Sequence, residues 1–134
     1  MLTEIVTLHI PENIYRRLTY TAQATRRTLE DIILHALTVG GPPAWDDAPP
    51  EFQADLATMD KLEDDALWQI ARSRKLPAEM ERYDSLLERN KTRSLTDTER
   101  LELTKLRAEA DRFMLRKAHA ASLLRWRGYN VSAA

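Results

Sequence analysis

The stretch GGPPAWDDAPP, Gly40 to Pro50, packs four prolines and two glycines into eleven residues, and no other feature of the chain limits its fold so firmly. Proline fixes φ and has no amide to donate, so neither a helix nor a sheet runs through such a segment. The chain therefore divides into an N-terminal unit, residues 1–40, a linker, 41–50, a helical region, 51–128, and a tail, 129–134. Trp45, inside the linker, is expected to dock on one of the flanking parts, because an indole left in water is unusual for a passive tether. With 134 residues and 43% hydrophobic content, the chain has material for a modest core.

There is no cysteine, which removes disulfides, thiolate metal sites and a thiol nucleophile. The opening MLTEIVTLHIPENIYRR is broken by Glu4 and Pro11 before it could span a bilayer. Both features predict a cytoplasmic protein with no membrane partner.

Within the first forty residues the period changes once. From Thr3 to Ile10, Val6, Leu8 and Ile10 alternate with Thr7 and His9, the two-residue period of a half-buried strand. After Pro11 the spacing turns helical, with Ile14, Leu18 and Ala22 on one stripe, and the run ends near ATRR. A second helix starts at Thr28, placed to cap it with Asp31 three residues on, and carries Leu29, Ile32, Ile33, Ala36 and Leu37 to Gly40 and Gly41. A lone strand leaves its edges unpaired, and its most economical partner is the same strand of a second copy.

This order of strand IVTLHI, helix PENIYRRLTYTAQAT, turn RR and helix TLEDIILHALTVG resembles the ribbon-helix-helix family. The resemblance covers about forty residues and implies a homodimer that lays a two-stranded ribbon in the major groove of double-stranded DNA. It makes Val6, Leu8, Ile10, Ile14, Leu18, Ile32, Ile33 and Leu37 the dimer core. Ile5, Thr7 and His9 become the base-reading residues: Thr7 bonds a base edge or touches a thymine methyl, His9 donates to guanine or phosphate, and Ile5 offers apolar contact. Arg26, Arg27 and Thr28, at the start of the second helix, become the phosphate contacts. Two features depart from the family's pattern. Arg26 stands where the inter-helix turn usually has glycine, and the ribbon's outer face has no arginine or lysine. Residues 1–40 hold Arg16, Arg17, Arg26 and Arg27 against Glu4, Glu12, Glu30 and Asp31, so counterion release on DNA is expected to be small.

Beyond the linker the pattern is helical throughout. Phe52, Leu56, Met59, Leu62, Ala66, Leu67 and Ile70 predict one amphipathic helix over 51–74, and Pro77 opens another that runs to Asn90. A third starts with a capping box, Thr96 with Glu99, and carries Leu103, Leu106, Ala110, Phe113, Ala120 and Leu124 on a heptad-like seam. The short connection between these last two predicts an antiparallel hairpin. The expected fold class is thus mainly α: a ribbon-helix-helix dimerisation unit of one strand and two helices, a linker, and an α-helical hairpin or bundle.

Charge is unevenly spread. From Asp46 to Asp65 there are eight acids and one base, Lys61, whereas Arg112 to Arg127 hold five bases and no acid. Each run is either a solvated helix face or a binding surface. As a binding surface, the acidic helix would cover a basic nuclease or RNA-binding face, with Phe52, Leu56, Met59 and Trp68 as partner-binding candidates. In LLRWRGYNV, Arg125 and Arg127 interleave with Trp126 and Tyr129, a combination that stacks on bases or, more commonly, packs at a helix end.

Catalysis has no foothold. His9, His35 and His119 are isolated from any metal-ligand spacing, and three glycines cannot form a phosphate cradle. No enzyme, metal or cofactor is expected. The sequence points to a homodimeric DNA-binding protein, an antitoxin or local transcriptional repressor whose C-terminal helices bind a toxin or other protein. The competing reading is a dimeric helical adaptor that does not read DNA.

Overall fold

The computed structural model describes residues 2–132; residues 133 and 134 of the expected tail lie outside them. Six α-helices follow in order: α1, Glu12–Thr25; α2, Leu29–Gly40; α3, Pro50–Thr58; α4, Asp64–Ala71; α5, Pro77–Lys91; α6, Asp97–Trp126. A single 3-10 turn, Met59–Lys61, separates α3 from α4. None of the six is long and apolar enough to cross a membrane. The chain splits into two compact units, residues 1–41 and 42–134.

The expected N-terminal strand is absent. Leu2 to Ile10 adopt neither helix nor strand, and no strand occurs among the described residues. Strand hydrogen bonds must come from a neighbouring strand, and the alternation of Val6, Leu8 and Ile10 cannot supply one within the chain. The mainly helical class holds; the ribbon does not.

The rest of the first unit follows its local signals. α1 opens behind Pro11, whose carbonyl accepts from the Tyr15 amide at 3.0 Å, and Glu12 pairs with Arg16 one turn on. It closes at Arg26, held in the left-handed region with φ 55°, while the Arg27 amide donates to the Ala22 carbonyl at 3.0 Å. α2 is capped by the Thr28 hydroxyl, which accepts from the Asp31 amide at 3.0 Å. Gly41 follows α2 because a Cβ there would sit 2.7 Å from the Leu37 carbonyl oxygen. Only Ala22 and Ile32 are buried between the two helices.

The second unit is built along α6. Its C-terminal half carries Ala120, Leu123 and Leu124 into a cluster with Leu56, Met59, Leu67 and Ala71 from α3, the 3-10 turn and α4. Its N-terminal half joins Leu103 to Leu86 and Leu95. α5 runs antiparallel to α6: Arg89, near the turn, pairs with Glu99, and Arg82, farther from it, pairs with Glu102 at 2.7 Å. The capping box at Thr96 has both halves, the Thr96 hydroxyl accepting from the Glu99 amide and the Glu99 carboxylate accepting from the Thr96 amide.

One further expectation is corrected and another holds. The helix expected over 51–74 is interrupted after Thr58, and the interruption exposes the carbonyls of Asp60 and Leu62, both of which accept from the Arg127 guanidinium. Trp45 docks, as expected of an indole in the linker. Trp45 and Ala48 pack on the larger cluster, and the Gln53 side-chain amide donates to the Asp46 and Ala48 carbonyls at 3.0 and 2.8 Å.

Candidate functional site

In the first unit, apolar side chains lie in water to an extent unusual for a folded surface. Ile5, Val6 and Leu8 are 95, 75 and 64% exposed, and Ile14, Leu34, Leu37 and Val39 on α1 and α2 are also exposed. Of the eight expected dimer-core residues, Ile32 is buried and Ile10, Leu18 and Ile33 are half-buried, while Val6, Leu8, Ile14 and Leu37 are open. At about 25 cal/mol per Å2 of apolar surface, two helices holding two buried side chains gain little from burial. Much of the apolar side-chain surface of the first unit is therefore left in water.

The expected DNA contacts fall in two places. Ile5, Thr7 and His9 are exposed on the segment that precedes α1. Arg26, Arg27 and Thr28 are exposed at the turn into α2, where the positive end of the helix dipole and two guanidinium groups favour an anion. The left-handed turn brings Arg26 and Arg27 together; nothing in the fold joins them to Thr7 or His9.

In the second unit the two charged runs meet each other. Arg112 Nε and Arg116 Nη1 donate to the Asp55 carboxylate at 3.0 and 2.7 Å. Burial raises the Asp55 pKa, but these two hydrogen bonds outweigh it and hold the carboxyl below its ordinary value. The Asp64 carboxylate accepts from the Tyr129 hydroxyl and, at 2.8 Å, from Arg127; both lower its pKa, the tyrosine most. The Tyr129 hydroxyl is raised in return. His119, buried, places Nε2 3.6 Å from Asp60.

The aromatic residues near the C-terminus share in this packing. Trp68 meets Tyr129 edge-on, with centroids 5.9 Å apart, and the Arg72 guanidinium lies 4.4 Å from the centre of its ring. Of the four partner-binding candidates, Leu56 and Met59 are buried, and Phe52 and Trp68 are half-buried. The acidic segment spends its apolar face on the core, and two of its carboxylates, Asp55 and Asp64, pair with arginines of the C-terminal run. Among the described residues no group of three or more His, Asp or Glu side chains is arranged to hold a metal ion.

One feature escaped the sequence reading. Phe113, assigned to the α6 seam, belongs to neither core cluster and instead lines an open groove with Arg74, Lys75, Met80 and Lys117. Its heptad position signalled burial, but it is only half-buried and lies between the two clusters along α6. No protein-family model, curated protein or solved structure matches this chain.

Proposed function

We propose that the chain is a homodimeric DNA-binding regulator, an antitoxin or local transcriptional repressor, whose first unit associates with a second copy and meets double-stranded DNA while its second unit engages a protein partner. The observation that carries this reading is the apolar surface of the first unit: Val6, Leu8, Ile14 and Leu37 are exposed beside a core of two residues. A second copy of the same unit, bringing the same surface, covers it with two-fold symmetry. Arg26, Arg27 and the free amides at the start of α2 are then presented twice, as a symmetric pair of phosphate contacts. Thr7 and His9, in water on the preceding segment, supply hydrogen-bonding groups for base edges.

Fluorescence anisotropy against DNA from upstream of the chain's own gene, with scrambled DNA as control, tests the reading. Arg26→Ala with Arg27→Ala should weaken both duplexes and flatten the salt dependence, whereas Thr7→Ala with His9→Ala should remove the preference for the specific duplex. Equal, negligible binding to both duplexes by the unaltered protein contradicts DNA recognition. The balance of four bases and four acids in residues 1–40 favours a second reading in that event, a dimeric adaptor that uses the first unit only to assemble.

A further inference from the structure

α5 and α6 meet in two ways along their length. Near the turn, Leu86, Leu95 and Leu103 form a closed cluster, and Arg89 with Glu99 and Arg82 with Glu102 tie the helices together. Farther from the turn the pair opens onto a cavity of about 250 Å3, lined by Met80 from α5 and Met114 from α6 beside Tyr83, Leu106 and Phe113. Neither methionine belongs to a core cluster. They are 52 and 68% exposed, whereas Met59, in the larger cluster, is 0% exposed. Among the described residues, two methionines therefore stand open to solvent at one cavity and one is sealed from it.

We infer that Met80 and Met114 form a paired, reversible oxidation site for hydrogen peroxide, and that sulfoxide formation there releases the start of α5 from α6. The peroxide is neutral and little larger than a water molecule, whose share of liquid volume is about 30 Å3. The mixed lining of Lys75, Glu79, Asp84 and Glu109 therefore neither attracts nor bars it. A lone pair of the thioether sulfur attacks one peroxide oxygen; the S–O bond forms as the O–O bond breaks, and the departing hydroxide takes the proton left on the transferred oxygen. The sulfur is oxidised to the sulfoxide and the peroxide reduced to water. The product is polar, so both side chains exchange contact with Tyr83, Leu106 and Phe113 for contact with water. The leucine cluster and the two ion pairs near the turn hold no methionine and persist. Arg82 makes the ion pair nearest the start of α5, and Met80 precedes it, so the helix from Pro77 to Arg82 is the part that loosens. The connection before it carries Arg74 and Lys75, with the Lys75 ammonium 5.6 Å from the centre of the Phe113 ring. Trypsin cleaves after arginine and lysine, so cleavage at these two residues reports the release.

The full-length protein is treated with hydrogen peroxide for increasing times and quenched, and each methionine is followed by mass spectrometry of its peptide. Met80 and Met114 should each gain an oxygen at least about tenfold faster than Met59. Limited trypsin digestion of the oxidised protein should then cut after Arg74 and Lys75 severalfold faster than in the untreated protein. A mixture of the two methionine sulfoxide reductases, one for each sulfoxide epimer, should restore the original rate. Met80→Leu with Met114→Leu keeps an apolar side chain at both positions; circular dichroism should show the variant folded, and peroxide should leave its cleavage unchanged. Met80 and Met114 reacting no faster than Met59 overturns the inference. So does complete oxidation of both with unchanged cleavage, failure of the reductases to reverse the change, or a peroxide response that survives in the double variant.

Discussion

Arg26 shows how a single backbone angle exposes both stability and function to test. Its φ of 55° is the left-handed conformation that closes α1, and a residue with a Cβ adopts it at a cost that glycine avoids. Arg26→Gly should therefore stabilise the first unit by about 0.5–1 kcal/mol, seen as a higher melting temperature, while DNA binding weakens. A lower melting temperature would show that the guanidinium has a structural role the fold does not display. In the second unit, Leu67 is fully buried, so Leu67→Ala should cost about 2–5 kcal/mol by denaturant unfolding, and Met114→Ala, at an open position, less than about 0.5 kcal/mol. The sequence made the turn position of Arg26 and the capping role of Thr28 legible, because both are local. It misread Leu56 and Met59 as partner-binding: an apolar stripe identifies a helix face but not which surface covers it, and α6 covers this one from about sixty residues away in the chain.

Helix ends and helix order were legible for the same local reasons, and the α5–α6 hairpin lies as its short connection implied. The break between α3 and α4 was not, because it is stabilised by Arg127, distant in sequence, donating to the carbonyls the break exposes. The opposed charges of the two runs were visible, but their mutual pairing depends on tertiary packing. That pairing predicts an acid-sensitive second unit. Asp55, Asp64, Glu99 and Glu102 all titrate below their ordinary values, chiefly through hydrogen bonds from arginines, Tyr129 and the Thr96 amide. The folded state thus binds fewer protons than the unfolded one in acid. Their stabilisation is complete above the ordinary carboxylate range, about pH 4–4.5, and is lost as pH falls through the lower folded values. Tyr129 acts at the other end: its hydroxyl is raised, so its contribution is present below the ordinary tyrosine value and lost as pH rises through the higher folded one. Melting followed by circular dichroism should show lower stability below about pH 4, with a shallower fall in Asp55→Asn. A melting temperature unchanged down to about pH 3 would contradict this role for the ion pairs.

For the whole molecule the open question raised by the structure is what covers the first unit. Its N-terminal strand, expected from alternation alone, is absent, because alternation records which side chains favour one face and carries no information about a backbone partner. The exposed residues left behind make a clear prediction. In a lone chain Ile14 and Leu37 are about half exposed, so Ile14→Asp or Leu37→Asp should cost only about 1 kcal/mol. In a dimer each change buries two charges at the interface, and sedimentation should show the variants dissociated at concentrations where the unaltered protein associates. The most direct measurement combines assembly with recognition: sedimentation of a labelled duplex from upstream of the chain's own gene, titrated with the full-length protein. The account predicts a complex that gains mass in steps of two chains of 15.5 kDa each and that a scrambled duplex does not form. A duplex that sediments unchanged, or that takes up single chains, would contradict it.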